Sequence, residues 1–246
     1  MSLLNRLRSV PAIEAGLRSA RALAGNTGSP LRIPGDSPAA RVESTPPRFS
    51  NGLREFFRLF ESIGYGHVLD VGPFRPTTVN YLIGHGFGGY TAEDVLSTWH
   101  ELVLVEEEAR RIPSVRGRAA RASCVARVDR LLASNLRYAP GAFDAILLWD
   151  LLDYLDRDAV PHVVERFSEL LQPGGAILAI FHTRLPVKFH RYRILDLQHM
   201  GLVPAATLVN PQHVYENREI QEIFECFHTS KTFVGRDHLR EGVFVK

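Results

Sequence analysis

The chain has 246 residues, of which 45% are hydrophobic and 23% charged, and a formal net charge of +2 at pH 7. These values are ordinary for a soluble globular protein and fit one substantial α/β domain with an extension. The small net charge does not indicate a nucleic acid partner, and no apolar run reaches the ~18 residues of a membrane span. The two cysteines, Cys124 and Cys226, lack metal-ligand spacing, so a reducing, cytoplasmic compartment is expected.

Residues 1–48 are rich in Arg and poor in acids. Within them, Pro11–Ala24 has the apolar spacing of one helix, and the following residues to Pro47, rich in Gly, Pro and Ser, predict a linker. An Arg-rich start is also typical of organellar transit peptides, but Glu14 argues against one. We therefore expect an N-terminal extension over 1–48 and a domain over 49–246.

From Ser50 onward, helical and strand periods alternate. Ser50 or Asn51 is placed to cap a first helix, whose apolar residues recur three and four positions apart. Gly64 and Gly66 end this helix, and the short apolar runs that follow predict strands. In chain order the sequence predicts a helix from Asn51 to Ile63, the strand His67–Val71, the helix Pro76–Ile83, the strand Tyr90–Val95 and a helix over 97–111.

The segment Ile112–Tyr138 is rich in Arg and has no clear period. One more strand is expected in it, at Ser123–Val128 or at Arg130–Leu132. The rest of the chain alternates again until an irregular stretch over 182–216. Its predicted elements are the strand Phe143–Trp149, the helix Arg157–Leu171, the strand Ala176–Phe181, the helix Arg218–Phe227 and a hairpin of Ser230–Val234 with Gly242–Val245.

Strands that are apolar throughout and alternate with helices are typical of a parallel sheet covered on both faces. Ligands of such doubly wound sheets bind beyond the carboxyl ends of the strands. Three parts of the sequence should meet there. They are the turn Asp70–Thr78, the acidic pair Glu93-Asp94, which is suitably placed for a ribose diol, and the segment Trp149–Tyr154.

On these residues the chain resembles the class I S-adenosylmethionine-dependent methyltransferases. The resemblance lies in four blocks that occur in the family's order, and it covers residues 50–246. It implies a doubly wound, mainly parallel seven-stranded sheet with helices on both faces and a C-terminal antiparallel hairpin. It also implies S-adenosyl-L-methionine as the cofactor. The blocks are Val68–Gly72, Glu93-Asp94, Phe143–Leu155 and Leu170–Leu178.

The loop after the first strand departs from the family, which has several glycines there. Only Gly72 remains, and Pro73 and Pro76 follow it. One interpretation is that the prolines stiffen a turn that has lost its ligand. The other is that the next helix still points its amide groups at the cofactor carboxylate, with an arginine and two threonine hydroxyls adding bonds. The candidate cofactor-binding residues of this loop are Asp70, Gly72, Arg75, Thr77 and Thr78.

Further candidates have two interpretations each. Asp70 either organises its turn or lies close to the cofactor through water. Asn135 stands where the family often has an acidic residue for the adenine amino group, and it is either an acceptor for that group or a surface turn residue. Asp150 and Asp153 either hold or deprotonate the acceptor, or they cap the next helix. With the resemblance, the cofactor-binding candidates outside the loop are Glu93, Asp94, Asn135 and Asp150.

The catalytic candidates are Asp153 and His182. His182 follows the strand Ala176–Phe181 at the ligand-facing end, so it is either a general base or a polar loop residue. No set of His and carboxylates has metal-ligand spacing, so no metal is expected.

The resemblance implies an enzyme that methylates a small-molecule acceptor by direct in-line transfer, a reaction that needs positioning more than special side chains. The alternative is a catalytically inactive, methyltransferase-like binding or assembly module, which the glycine-poor loop and the Arg-rich residues 1–48 favour. A nicotinamide dehydrogenase would need Gly-x-Gly-x-x-Gly after the first strand, and that motif is missing.

Overall fold

A computed structural model describes residues 46–61, 66–111, 124–206 and 208–246. The predicted helix Pro11–Ala24 and nearly all of the predicted linker lie outside these ranges. Within them the chain forms nine strands and six α-helices. In chain order the elements are β1 (Arg48–Phe49), α1 (Asn51–Phe60), β2 (His67–Asp70), α2 (Pro76–Gly84), β3 (Gly89–Ala92), α3 (Val95–Arg111), α4 (Cys124–Ser134), β4 (Phe143–Trp149), a 3₁₀ helix (Leu151–Tyr154), α5 (Val160–Leu170), β5 (Leu171–His182), β6 (His190–Ile194), β7 (His199–Pro204), α6 (Asn217–Ile223), β8 (Thr229–Val234) and β9 (Leu239–Val245).

The main sheet has the strand order β3-β2-β4-β5-β9-β8. Its first four strands are parallel to one another, because each is connected to the next through helices. The last two strands are each antiparallel to the strand before them in this order: β9 pairs with β5 along the full length of β9, and β8 pairs with β9. The sheet is therefore mainly parallel and ends in the expected C-terminal hairpin.

Two apolar clusters cover the two faces of this sheet. One contains α1 with its row of buried phenylalanines, and the other contains α5. The start of α1 is fixed by Ser50, whose Oγ accepts a hydrogen bond from Leu53 N at 2.9 Å. Both faces being buried explains why β4 and β5 read as continuous apolar runs in the sequence.

The strand expected at Ser123–Val128 or Arg130–Leu132 is not formed. The helix α4 runs through both stretches, from Cys124 to Ser134. Val128 and Leu131 lie three residues apart and are both buried, which is helical spacing, while Asp129 and Arg130 between them are exposed and Arg130 lies 3.8 Å from Glu106 of α3. The main sheet thus has six strands within the described residues rather than seven.

The stretch predicted as irregular contains a second sheet. Its strands β6 and β7 form an antiparallel hairpin, and the short β1 pairs with β7, so the order is β1-β7-β6. Tyr192 and Ile194 of β6 are buried, and Ile194 N donates to Thr78 Oγ1 of α2. The second sheet therefore packs beside the start of α2, at the carboxyl end of β2.

Candidate functional site

The carboxyl ends of β2 and β4 meet where the strand order reverses. From β2 the chain moves outward to β3 and then returns to β4 on the other side of β2. In doubly wound sheets the crevice beyond such a pair is the usual ligand site. Here it is lined by the turn Val71–Pro73 after β2 and by Trp149–Leu151 after β4. These are the segments in which the sequence analysis placed the site.

Asp70 ends β2 and is almost completely buried. Its Oδ1 accepts hydrogen bonds from Gly72 N at 3.1 Å and Trp149 Nε1 at 2.6 Å, and its Oδ2 accepts one from Tyr90 Oη at 2.7 Å. Burial raises the pKa of Asp70 to about 6, although these bonds favour the charged form. A Cβ at Gly72 would lie 3.2 Å from Asp70 Oδ1, so glycine permits this packing. Asp70 therefore organises the turn and joins three strands.

The loop after β2 leads directly into α2. Pro76 is the first helical residue, and Arg75 precedes it in an extended conformation. The buried Thr78 accepts the bond from Ile194, so it ties α2 to β6, whereas Thr77 is exposed. The Nε of Arg75 is buried and has no hydrogen-bond partner among the described residues. It is thus a donor for which the fold supplies no acceptor.

A second polar group lies between β3 and the end of α4. Glu93 accepts hydrogen bonds from Asn135 Nδ2 at 2.7 Å and from Tyr138 Oη at 2.5 Å. The other amide atom of Asn135, Oδ1, is buried and has no hydrogen-bond partner in the described part of the chain. Leu136 beside it is buried, with φ of 57°. This left-handed conformation is uncommon for leucine, so the backbone after Asn135 is held by its surroundings.

Asp94 connects α3 to β6. Its carboxylate accepts hydrogen bonds from Ser97 N at 3.3 Å and Ser97 Oγ at 2.7 Å, and forms an ion pair with Arg191 at 3.1 Å. The guanidinium of Arg191 also lies over the ring of Phe189, 5.2 Å from its centroid. Asp94 is therefore engaged in holding the hairpin over the crevice.

The strand β6 closes the crevice. Tyr192 stacks on Trp149 with ring centroids 5.5 Å apart and planes 8° from parallel, and its hydroxyl lies 3.3 Å from Asp150 Oδ2. With Arg191 it leaves a cavity of about 10 Å³ in the crevice. Small-molecule sites usually measure ~300–1,000 Å³. A ligand of nucleotide size therefore requires these β6 side chains to move.

Buried titratable groups follow β4 and β5. Asp153 Oδ2 accepts hydrogen bonds from His182 N at 2.7 Å and from His182 Nδ1 at 2.8 Å. Burial raises the pKa of Asp150 to about 7, and it raises the pKa of Asp153 against the opposing effect of His182. Burial also lowers the pKa of His182, but the hydrogen bond that its imidazole donates to Asp153 and the charge of Asp150 outweigh burial and raise that pKa.

His182 lines a second cavity, of about 260 Å³, which lies beyond the end of β5. Because Asp153 holds Nδ1, the imidazole is oriented and Nε2 is its remaining proton site. A histidine held in this way can accept a proton from a bound molecule. Tyr192 lines this cavity as well as the crevice, so one side chain separates the two spaces.

No family model matches the chain, and no curated protein matches it. Structures similar to this chain include many S-adenosylmethionine-dependent methyltransferases. The resemblance that the sequence indicated is therefore found among solved structures too, although at low identity.

Three of these structures illustrate the similarity. The 1,6-didemethyltoxoflavin-N1-methyltransferase of Burkholderia thailandensis, crystallised with 1,6-didemethyltoxoflavin and S-adenosylhomocysteine, is 17% identical, covers 80% of this chain and 79% of its own, and has a TM-score of 0.43. A methyltransferase of Mesorhizobium loti is 11% identical, with 78% and 96% covered and a TM-score of 0.45. The N-methyltransferase NodS of Bradyrhizobium japonicum is 15% identical, with 79% and 93% covered and a TM-score of 0.38. At these values the similarity assigns neither an activity nor a ligand to this chain.

The structure thus gathers the predicted site residues into three groups. Gly72 and Asp150 line the crevice, whereas Asp70, Arg75, Thr77 and Thr78 lie at the end of β2 or at the start of α2 and are not part of its lining. Glu93 and Asp94 follow β3, and Asn135 is bonded to Glu93. His182 lines the second cavity, and Asp153 is bonded to it. Arg191 and Tyr192 are not among the predicted site residues, because no regular structure is predicted over 182–216. The sequence signal that could have located them is the alternation of basic residues with Tyr192 and Ile194 in His190–Ile194.

Two further observations concern the described residues as a whole. Among them, no group of His, Cys, Asp and Glu side chains could hold a metal ion. In the same ranges, no helix has both the length and the apolar character needed to cross a membrane.

Proposed function

We propose that this chain is an S-adenosylmethionine-dependent methyltransferase that binds its cofactor in the crevice beyond β2 and β4 and acts on a small-molecule acceptor. Residues 49–246 would form the catalytic domain, with 1–48 as an extension. The observation that carries the proposal is the Oδ1 atom of Asn135, a buried acceptor without a hydrogen-bond partner among the described residues. It lies next to Glu93, at the end of the strand that follows the first loop.

The adenosine half of the cofactor fits the group formed by Glu93, Asn135 and Tyr138. The Oδ1 of Asn135 is fixed, because its Nδ2 donates to Glu93, and it suits the amino group of adenine. Each carboxylate oxygen of Glu93 accepts one bond within the fold and has a further lone pair for a ribose hydroxyl. Buried polar atoms are rarely left unpaired, which favours a ligand donor at Asn135.

The methionine half fits the loop in its charge but not in the space available. The unpaired Nε of Arg75 and the amide groups at the start of α2 suit a carboxylate. The side chains of Arg191 and Tyr192 occupy the space in the crevice that the methionine half would need. Cofactor binding in the crevice therefore requires that β6 moves outward, with loss of the Tyr192–Trp149 stack and of the Arg191–Asp94 ion pair.

When bound, the cofactor supplies a methyl group on a positively charged sulfur. The protein has then to orient the acceptor and to remove its proton where the acceptor is protonated. We assign the second task to His182, which would hold that proton at Nε2 while Asp153 fixes Nδ1 and stabilises the imidazolium. The cavity of about 260 Å³ at His182 fits a small acceptor.

Isothermal titration calorimetry with S-adenosylhomocysteine tests the proposal. The wild-type protein is expected to bind, and Asn135→Ala should weaken binding by about 10-fold, the usual effect of a lost hydrogen bond to a buried acceptor. Asn80→Ala, an exposed substitution on α2, serves as the matched control and should leave the affinity unchanged.

The absence of binding heat at millimolar ligand would exclude the enzyme and leave the alternative of an inactive binding module. Binding that Asn135→Ala does not weaken would show that the adenine lies elsewhere.

A further inference from the structure

The cavity at His182 differs from the crevice in its charge. Two cationic side chains lie at its mouth, Arg184 and Lys188, on the loop that connects β5 to β6. Both are exposed, and neither forms an ion pair or hydrogen bond within the described residues. The acidic residue of the lining, Asp237, is paired with Arg48. The uncompensated charge at this cavity is therefore positive.

The histidines of the lining supply no negative charge that could neutralise Arg184 and Lys188. His182 is paired with Asp153 at the inner end of the cavity. Burial lowers the pKa of His190, and the charge of Lys188 lowers it further, which favours its neutral form. No carboxylate of the lining other than Asp237 is present to neutralise Arg184 and Lys188. A ligand with a negative group at the mouth would satisfy both cations.

The walls between the mouth and His182 are apolar. Leu202 of β7 and the buried Leu239 of β9 form part of them, with Pro186 and the ring of Tyr192. A volume of about 260 Å³ is slightly below the ~300 Å³ of the smallest usual ligand pockets, so it suits a molecule with a single ring. The cavity thus runs from a cationic mouth along an apolar wall to a histidine.

We propose that this cavity binds a small acceptor that carries a carboxylate on an apolar, ring-sized body. The carboxylate would lie between Arg184 and Lys188, and the group to be methylated would lie at the opposite end, beside His182. The identification of the molecule as an acceptor rests on the function proposed above, whereas the preference for an anion rests on the cavity itself.

Three ring compounds of equal size and different charge test this preference: benzoate, the neutral benzamide, and the cationic benzylamine. Binding is followed by NMR through the imidazole resonance of His182, which is assigned by its loss in His182→Gln. Benzoate is expected to bind at least 10-fold more tightly than benzamide, and benzylamine more weakly than both. The double variant Arg184→Gln/Lys188→Gln should reduce benzoate binding to the level of benzamide. Arg218→Gln, a highly exposed arginine on α6, is the control and should have no effect.

Benzamide binding as tightly as benzoate, a double variant that binds benzoate normally, or the absence of any benzoate effect on His182 would each overturn the proposal. Calorimetry with S-adenosylhomocysteine on the same double variant separates the two hypotheses. Unchanged cofactor binding with lost benzoate binding supports both. If the wild-type protein binds benzoate but no S-adenosylhomocysteine, the anion site stands and its role as an acceptor site is refuted.

Discussion

Asp70, Asp150 and Asp153 show how much the carboxyl end of this sheet depends on buried carboxylates. Asp70 is the last residue of β2, Asp150 directly follows β4, and Asp153 lies in the 3₁₀ helix that comes next. Burial raises the pKa of each. Only part of this was predictable. An acidic residue at a strand end indicates a site, but the partners of Asp70 come from strands that the sequence does not order: Tyr90 from β3 and Trp149 from β4.

The raised pKa of Asp70 predicts a stability change between about pH 4 and pH 6. The folded state binds the proton of Asp70 more tightly than the unfolded state does. The contribution of Asp70 to the free energy of unfolding therefore falls as the pH rises through this window and is constant above it. Asp70→Asn removes this titration. The difference in free energy of unfolding between wild type and Asp70→Asn should therefore fall by about 2 kcal/mol from pH 4.5 to pH 7.5.

Urea denaturation at both pH values measures this difference. Asp158→Asn, which makes the same substitution at an exposed position, is the control. A difference that stays constant or rises with pH would show that Asp70 is not held in its protonated form by burial.

The hairpin of β6 and β7 is the element that decides access to the crevice. It is tied to α2 through Thr78 and to α3 through Asp94, and its Tyr192 fills the space beside Trp149. This element could not be predicted from the sequence, because residues 182–216 contain several prolines and short apolar runs. Its strands are stabilised by contacts with β1 and α2, which lie more than 100 residues earlier in the chain.

Tyr192→Ala should increase the affinity for S-adenosylhomocysteine. Removing the ring enlarges the crevice and removes the Tyr192–Trp149 stack, which is lost when a ligand displaces the hairpin. We expect an increase of at least about 3-fold, since an aromatic pair contributes about 0.5–1.5 kcal/mol. Leu202→Ala weakens the same hairpin from β7 without lining the crevice, and it should leave the affinity closer to that of the wild type.

Calorimetry on the three proteins gives the comparison. A Tyr192→Ala variant that binds S-adenosylhomocysteine more weakly than wild type would mean that the ring is part of the ligand site rather than an obstacle to it.

At the scale of the whole molecule, one ion pair joins the first described strand to the last. Arg48 of β1 pairs with the buried Glu241 of β9 and with Asp237. The second carboxylate oxygen of Glu241 accepts a hydrogen bond from Gly52 N at 2.5 Å, at the start of α1. A Cβ at Gly52 would lie 2.7 Å from Glu241 Cβ, so only glycine allows this approach. The two sheets and α1 are thus held together at Glu241.

Glu241→Gln should lower the free energy of unfolding by about 3 kcal/mol, because it leaves the largely buried guanidinium of Arg48 with only one, partly exposed partner. Glu222→Gln on α6, whose carboxylate is largely exposed, should change it by less than about 0.5 kcal/mol. Chemical denaturation of both variants measures the effect. Equal stability of the two variants would contradict a structural role for Glu241.

The elements that could be predicted from the sequence are those whose residue pattern along the chain reflects their burial. The strands β2, β4 and β5 and the helices α1 and α5 could be predicted because burial on one or both faces gives them a clear period. The helix α4 was predicted as a strand, because its Arg residues break the apolar pattern. Two of them serve tertiary contacts: Arg127 pairs with Glu106 and lies over Trp99, and Arg130 lies 3.8 Å from Glu106. Such long-range partners have no local signal.

Tyr192 has one more consequence, because its ring borders both the crevice and the cavity at His182. Two molecules bound on either side of a shared movable wall affect each other's affinity, and thermodynamics requires the effect to be equal in both directions. If a molecule in the crevice pushes Tyr192 toward His182, it reduces the room left for benzoate, and benzoate in turn weakens binding in the crevice by the same factor. If the ring instead leaves both spaces, each molecule raises the affinity of the protein for the other, and the two bind cooperatively.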